Sequence, residues 1–281
     1  MAGEVENGWA STRDGVALRT YAWLAAAGAP GRGTVVLVHG LGEHAGRYAH
    51  VARRLNEWGF DVHAYDQFGH GQSPGRRGTL ATPTRLLDDL ADMVDRTRAA
   101  MPPAQPLLLL GHSMGGAVAA DFVAQAIREV QGLVLSSPAL DAGMNAAQRA
   151  LAALLARLAP GFTIGNGLQV ERISHDPAEV AAYAADPLVH DRVSGRLAHY
   201  IASAGPRALT EAGRWQVPTL LLYAGADALV DPAGSRRFAA AAPAQAVTAR
   251  DFPAHYHELF NEVAREDVFD ALRAWLDARF P

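Results

Sequence analysis

The stretch Leu107-Leu-Leu-Leu-Gly-His-Ser-Met-Gly-Gly116 constrains this chain more than any other part of it. A short apolar run meets a G-x-S-x-G motif at Gly111, Ser113 and Gly115, and a segment rich in small residues follows. The motif alone is weak, because chance matches are common. A strand that ends on it and a helix that opens directly after it supply the context that makes it specific. So tight a turn leaves no room for bulky residues at 111 and 115. It also holds its serine in a strained conformation above a sheet, at the positive end of the helix that begins at Met114. Ser113 is therefore the candidate nucleophile.

The surrounding pattern fits a parallel sheet. Thr34–Val38 is a β-branched run bounded by glycines, as a strand covered on both faces should be. Strands are predicted also over Val16–Leu24, Phe60–Tyr65, Leu107–Leu110, Leu133–Leu135, Thr219–Tyr223 and Ala246–Ala249. A turn-rich stretch, Ala27–Gly33, follows the first of these. Helices are predicted between them. Tyr48, Val51, Leu55 and Trp58 share one face of Arg47–Trp58, which Gly59 stops. Thr82-Pro83 starts a second helix with an apolar stripe at Leu86, Leu87, Leu90, Met93 and Val94. Met114–Ile127 and Glu258–Phe280 complete the set. Strands alternating with helices argue for an α/β fold, a mostly parallel central sheet flanked by helices. Between Asp141 and Pro206 the alternation breaks, with helical periodicity and no credible strand. The expected organisation is a core of residues 1–140 and 207–281, with 141–206 as a helical insertion between two sheet strands.

Composition narrows the chemistry. The chain has no cysteine, and all 25 residues counted as Lys+Arg are arginine. Schiff-base chemistry, a pyridoxal-phosphate anchor, a phosphate-binding lysine, a Ser–Lys pair and a thiol nucleophile are therefore excluded. A net charge of −4 without a basic run gives no support to nucleic-acid binding. At 49% hydrophobic and 19% charged residues the chain is a globular one. No apolar targeting segment opens it. Its longest strongly apolar run, Leu107–Leu110, falls far short of the ~20 residues of a membrane helix. A cytoplasmic protein is the expectation.

A serine hydroxyl needs a base, and the base needs an orienting acid. On an elbow of this kind they follow in the chain order Ser, acid, His. Thr219–Tyr223 leads into Ala224-Gly-Ala-Asp227, which places Asp227 just beyond a strand end. Asp231 competes, but it precedes Pro232 and a helical stretch, so helix capping accounts for it. For the base, Phe252-Pro-Ala-His-Tyr-His-Glu-Leu-Phe260 offers both His255 and His257. Spacing favours His257 without deciding between them. Two backbone donors are needed for a tetrahedral oxyanion. Met114, next to the nucleophile, and Leu41 in His39-Gly-Leu-Gly42 are the candidates, the flanking glycines allowing close approach.

Other polar residues have plainer readings. His39 is expected to tie its loop down by hydrogen bonds, and Asp66 to accept backbone N–H groups in a Gly-rich turn. His39, His44 and His50 lack the helical spacing and carboxylate of a metal site, so no metal and no cofactor are expected. The stripe Met144, Ala147, Leu151, Leu154, Leu155 and Leu158 reads first as a core-packing face, with lipid contact as the alternative.

Together these segments resemble the monoacylglycerol lipase and lysophospholipase branch of the α/β-hydrolases, the "serine aminopeptidase S33" or "hydrolase 4" type. The motifs that carry the resemblance are His39-Gly-Leu-Gly-Glu-His-Ala-Gly-Arg-Tyr48, Asp66-Gln-Phe-Gly-His-Gly-Gln-Ser73, Gly111-His-Ser-Met-Gly-Gly116, Gly225-Ala-Asp-Ala-Leu-Val-Asp231 and Tyr256-His-Glu-Leu-Phe-Asn-Glu262. The resemblance spans nearly the whole chain. It implies the α/β-hydrolase fold, and its pattern decides between the histidines in favour of His257. It implies Ser113, Asp227 and His257 as the catalytic triad and Leu41 and Met114 as oxyanion donors. The positions of Glu43 and Arg47 help bind the glycerol head group in animal monoacylglycerol lipases. A further histidine of that pocket is Phe260 here, which loosens the implied specificity. Asp141–Pro206 corresponds to the family's cap.

The implied activity is hydrolysis of monoacylglycerol-like or other lipid esters through an acyl-enzyme. A short- or medium-chain esterase, a thioesterase, an aminopeptidase and an acyltransferase would use the same triad. A dehalogenase or epoxide hydrolase would need a carboxylate at position 113. A non-catalytic ligand-binding protein on this fold would ordinarily lack a triad residue. The expected partner is a small acyl ester, with the cap a candidate for peripheral contact with lipid aggregates. A monomer or a homodimer is expected.

Overall fold

The structure is a computed structural model that describes residues 5–26 and 31–281. Of the expected turn-rich stretch Ala27–Gly33, residues 27–30 lie outside the described residues. In chain order, the sheet and its flanking helices begin with β1 (Val5–Ser11), β2 (Ala17–Trp23), β3 (Gly33–Val38), α1 (Ala49–Glu57), β4 (Phe60–Tyr65), α2 (Arg85–Ala100), β5 (Leu107–His112), α3 (Met114–Ala124) and β6 (Gly132–Ser136). An insert follows, built from α4 (Ala146–Leu158), β7 (Thr163–Gly165), α5 (Pro177–Ala185), β8 (Arg192–Ser194) and α6 (Gly195–Glu211). The sheet resumes with β9 (Thr219–Ala224), α7 (Pro232–Ala241), β10 (Val247–Phe252) and α8 (Arg265–Arg279).

Eight strands form one sheet in the order β1-β2-β4-β3-β5-β6-β9-β10. β2 pairs antiparallel with both β1 and β4, and every later neighbour is parallel. The four strands β3, β5, β6 and β9 are buried along their whole length. Their Val- and Leu-rich runs meet helices on both faces, so no polar alternation is needed. On one face α2, α3, α6 and α7 pack through Leu86, Leu90, Val118, Leu197 and Phe238. On the other, α1 and α8 pack through Val51, Leu55, Phe269, Leu272 and Trp275. The parallel strands all point one way. The segments after β3, β5, β9 and β10 therefore emerge along one edge, where ligand sites of open parallel sheets lie.

Several elements differ from the sequence expectation. β1 was not anticipated, because Val-Glu-Asn-Gly-Trp-Ala-Ser has no strong apolar alternation. It is an edge strand held by its backbone register with β2. The helix after Thr82-Pro83 begins only at Arg85, and α3 ends at Ala124 rather than Ile127. The expected helix from Glu258 is broken into a 3-10 turn at Leu259–Asn261 and α8, which starts at Arg265. Glu262 accounts for the break. Its side chain turns back to accept the Tyr256 N–H at 2.6 Å and to pair with His175 Nδ1 at 2.8 Å.

The insert also contains two strands where none was expected. β7 and β8 form a small antiparallel pair, with Thr163 opposite Ser194. Three residues each are too few for a periodicity to register. The boundary expected at Pro206 falls inside α6, which runs on to Glu211. The stripe on α4 does not pack into the core. Only Ala152 is buried, while Leu151, Leu154 and Leu158 are 54%, 52% and 71% exposed. α4 is firmly started by a capping box in which Asn145 and Gln148 exchange side-chain-to-backbone bonds.

Candidate active site

The turn between β5 and α3 is built as its sequence demands. Ser113 has φ 53° and ψ −119°, a strained backbone for a residue with a side chain. A Cβ on Gly111 would lie 2.5 Å from Gly115 O, and one on Gly115 would lie 2.1 Å from Val38 O. Only glycine lets β3, β5 and α3 close up this far. The Ser113 N–H donates to Ser136 O at 3.0 Å and its carbonyl accepts the N–H of Ala139 at 2.9 Å, so β6 and its exit loop brace the turn.

His257 comes from the segment after β10 and Asp227 from the loop after β9. His257 Nε2 lies 2.8 Å from Ser113 Oγ, and His257 Nδ1 lies 2.7 Å from Asp227 Oδ2. The other Asp227 oxygen accepts the N–H groups of Leu229 and Val230 at 2.9 and 3.0 Å. Burial alone would raise the Asp227 pKa. The His257 charge and hydrogen bond, with the two backbone donors, bring it below the ordinary carboxylate value instead. Burial pulls the His257 pKa down, but Asp227 and then Glu258 and Glu43 outweigh it, leaving the imidazole above its ordinary value of 6.5. Asp231 caps α7 by accepting the Ala233 N–H at 2.8 Å. His255 Nε2 lies 3.4 Å from the Ala264 carbonyl oxygen, and its ring packs against Phe252.

Ser113 and His257 open onto a cavity of about 480 Å³ between the sheet edge and the insert. Leu41 and Met114 line it near the serine, and Leu151, Leu155, Phe162, Ile164 and Ile201 line its walls. The loop that carries Leu41 is held from below. His39 is fully buried, its Nδ1 2.8 Å from Gly40 O and its Nε2 accepting the Gln67 N–H at 2.9 Å. Asp66 accepts the N–H groups of Ala45 and Gln72 at 2.9 and 2.8 Å.

Glu43 and Arg47 do not line this cavity. Glu43 Oε1 accepts the Gly40 N–H at 2.5 Å and the Tyr48 hydroxyl at 2.6 Å, and Oε2 accepts from Arg47 at 2.7 Å. Arg47 also makes a two-pronged bond to Glu258, at 2.7 and 2.8 Å. Phe260 is buried against Phe269, with ring centroids 5.2 Å apart. No local signal in the sequence assigns Glu258 a role, since its partner lies 211 positions away. His112 was likewise overlooked. Its ring is 4.7 Å from that of His257, and burial, aided by His257, pushes its pKa down to about 4.

The insert touches both loops of the site. Its His190 N–H donates to Gly42 O at 2.8 Å, and its Ile173 carbonyl accepts the Glu258 N–H at 2.8 Å. His44 Nε2 meets Asp186 of the insert at 2.9 Å. Among the described residues no group of three or more His, Asp or Glu is placed to hold a metal ion. No helix among them is long and apolar enough to cross a membrane.

A strained serine after the fifth strand, on a sheet of this order, is the architecture of the α/β-hydrolases. Within that class the chain belongs to the family described as "Serine aminopeptidase, S33" (Hydrolase_4), which matches residues 29–264. It is 37% identical over 248 residues to the monoacylglycerol lipase of Mycolicibacterium smegmatis, covering 87% of this chain and 88% of that protein. The crystal structure of Paleococcus ferrophilus monoacylglycerol lipase superposes with a TM-score of 0.83 at 36% identity, covering 93% of this chain and 99% of the other. A soluble variant of Saccharomyces cerevisiae monoglyceride lipase, solved with a substrate analogue, gives a TM-score of 0.87 at 25% identity, covering 100% and 97% of the two chains.

Proposed function

We propose that this chain is a serine hydrolase that cleaves monoacylglycerol-like esters through an acyl-enzyme. The reading rests on one observation: the Ser113–His257–Asp227 chain of hydrogen bonds, 2.8 and 2.7 Å long, opening onto an apolar cavity. His257 takes the hydroxyl proton as Ser113 Oγ attacks the acyl carbon. Asp227 holds the imidazole with its Nδ1 proton directed away from the serine and stabilises the imidazolium that forms. The N–H groups of Leu41 and Met114 take the oxyanion. His257 then gives its proton to the leaving alcohol, activates water in the second half-reaction and returns to its starting state. The relatives named monoacylglycerol lipase support the ester class. Labelling by a fluorophosphonate tests the reading. An enzyme that is not labelled at Ser113 is not a serine hydrolase of this kind.

Residues 141–206 serve as the cap over the acyl cavity in this reading. The cavity is lined mainly by apolar residues, Leu, Ala, Ile, Met, Val and Phe, which suits a medium or long acyl chain. Burying each further methylene favours binding by ~0.8 kcal/mol, about fourfold. In a p-nitrophenyl ester series from C2 to C16, kcat/KM is expected to climb steeply beyond acetate, and a sharp preference for acetate would refute the apolar-chain assignment. Exposed Leu154 and Leu158 on α4 place an apolar stripe beside the cavity, suited to contact with lipid aggregates. Leu154→Ser/Leu158→Ser is expected to slow turnover of aggregated substrate and leave that of monomeric ester unchanged.

A pH effect follows from the His257 environment. The base must be neutral to accept the serine proton, so activity falls as pH drops through the His257 pKa. Asp227, Glu258 and Glu43 leave that pKa above 6.5. The acid limb of kcat/KM is expected to have its midpoint above 6.5, and a midpoint below it would show that these carboxylates do not outweigh burial at His257.

A further inference from the structure

The family resemblance implies an alcohol-binding role for Glu43 and Arg47, but in this chain their polar atoms are turned on one another. The Arg47, Glu43 and Glu258 side chains are only 10%, 3% and 7% exposed. Both Glu43 oxygens already accept from protein donors, and both terminal nitrogens of Arg47 are spent on carboxylates. The second Glu258 oxygen also takes the Asn261 amide at 2.7 Å. The Tyr183 ring of α5 lies across the guanidinium, 4.6 Å from centroid to Cζ. In this cluster three of the five guanidinium N–H groups are thus engaged by the two carboxylates.

Its connections point elsewhere. Glu43 takes the N–H of Gly40, one residue before the candidate oxyanion donor Leu41. Glu258 follows His257 directly in the chain. A single guanidinium therefore joins the loop that carries an oxyanion donor to the loop that carries the base. We propose that Arg47 is a positioning residue, a brace that sets the distance between the Leu41 loop and His257, rather than a ligand for the alcohol group. Its geometry suits the task, since a bidentate arginine–carboxylate pair fixes direction as well as distance. Arg47 also supplies the positive charge that balances two buried carboxylates beside His257, whose other close ionisable neighbours are Asp227 and His112. A misplacement of about 1 Å between catalytic groups costs on the order of 100-fold in rate.

This inference rests on the serine-hydrolase reading above, and the test separates the two. Arg47→Met, Arg47→Lys, Glu258→Gln and the Arg47→Met/Glu258→Gln double variant are compared with wild type on a monoacylglycerol and on a p-nitrophenyl ester of the same acyl chain, which carries no glycerol. The brace predicts that Arg47→Met loses about 100-fold in kcat on both esters. It predicts an acid limb moved up by about one pH unit, because two carboxylates then face His257 uncompensated. It also predicts a double variant no worse than Arg47→Met, and partial rescue by Arg47→Lys. A raised KM for the monoacylglycerol alone, with p-nitrophenyl ester kcat intact, would overturn it in favour of alcohol binding. If Arg47→Met does not fold, Glu258→Gln carries the test, with about tenfold lower kcat on both esters expected for a lost arm of the bidentate pair. An unchanged kcat on both would overturn the brace. Labelling by a fluorophosphonate gives the separation. An unlabelled wild type sinks the hydrolase reading itself, whereas equal labelling rates in wild type and the folded variants overturn only the brace.

Discussion

Ser113→Ala is expected to lower kcat by roughly 10,000- to 1,000,000-fold, with KM nearly unchanged. The substitution removes one oxygen at a site whose shape is set by other atoms. The turn is held by Gly111, Gly115 and the Ser136 and Ala139 backbone bonds, none of which involves Oγ. The cavity keeps its walls, so substrate still binds. The candidate donors Leu41 and Met114 also remain, which is why the variant should stay somewhat faster than water alone. In the proposed mechanism Ser113 and His257 act as one unit, so the Ser113→Ala/His257→Ala double variant should lose no more than the single one. Steady-state kinetics on protein free of host esterase checks both statements. Residual turnover within tenfold of wild type would remove Ser113 as the nucleophile.

Asp227→Asn is expected to cost about 10,000-fold in kcat, with little change in melting temperature. The reason lies in the division of labour between its two oxygens. Oδ1 accepts two backbone N–H groups, from Leu229 and Val230, while Oδ2 faces His257 Nδ1. An asparagine keeps its oxygen toward the two backbone donors, because turning the amide over would leave them unpaired. Its NH2 group then points at Nδ1 and forces the His257 proton onto Nε2. A histidine so protonated donates to Ser113 instead of accepting from it. The loss should therefore appear in kcat on every ester, including the p-nitrophenyl series. A variant that retains more than a tenth of wild-type kcat would show that Asp227 is not the orienting acid.

Much of this architecture was legible in the sequence wherever a local pattern carries the information. Phe60–Tyr65 is observed with the predicted bounds, and β3, β5, β6 and β9 differ from theirs by one or two residues at an end. β3, β5, β6 and β9 are buried runs whose composition is dictated by helices on both sides, and β4 is buried at all but Asp61 and His63. The glycines at 111 and 115 were readable because their contacts are with residues close in the turn or directly opposite it. What was not readable depends on a partner rather than on a local pattern. β1 exists because β2 offers it a ladder, and no feature of Val-Glu-Asn-Gly-Trp-Ala-Ser announces that. The start of α8 is set by Glu262 reaching His175 across 87 positions. The α4 stripe has helical spacing in either case, and periodicity alone does not say whether the face it marks meets core or solvent. Arg47 was noticed for its likeness to a head-group ligand, while its bond to Glu258 became visible only once the two loops were placed side by side.

The contacts between the insert and the sheet's loops bear on engineering by exchange. A Cβ on Gly42 would stand 2.4 Å from the His190 carbonyl oxygen, and one on Gly78 would stand 2.1 Å from that of Arg192. Both glycines also have positive φ, 80° and 68°. The core is thus moulded around the backbone of this particular insert at two points, one of them in the loop that carries Leu41. A chimaera that swaps the helical segment for a relative's must transplant matching partners at 42 and 78, or it will shift the loop of the candidate oxyanion donor while altering no residue of the proposed triad. In the proposed function, substrate range and catalytic competence are mechanically joined. A library that diversifies the insert should therefore be screened for turnover number as well as for chain-length preference.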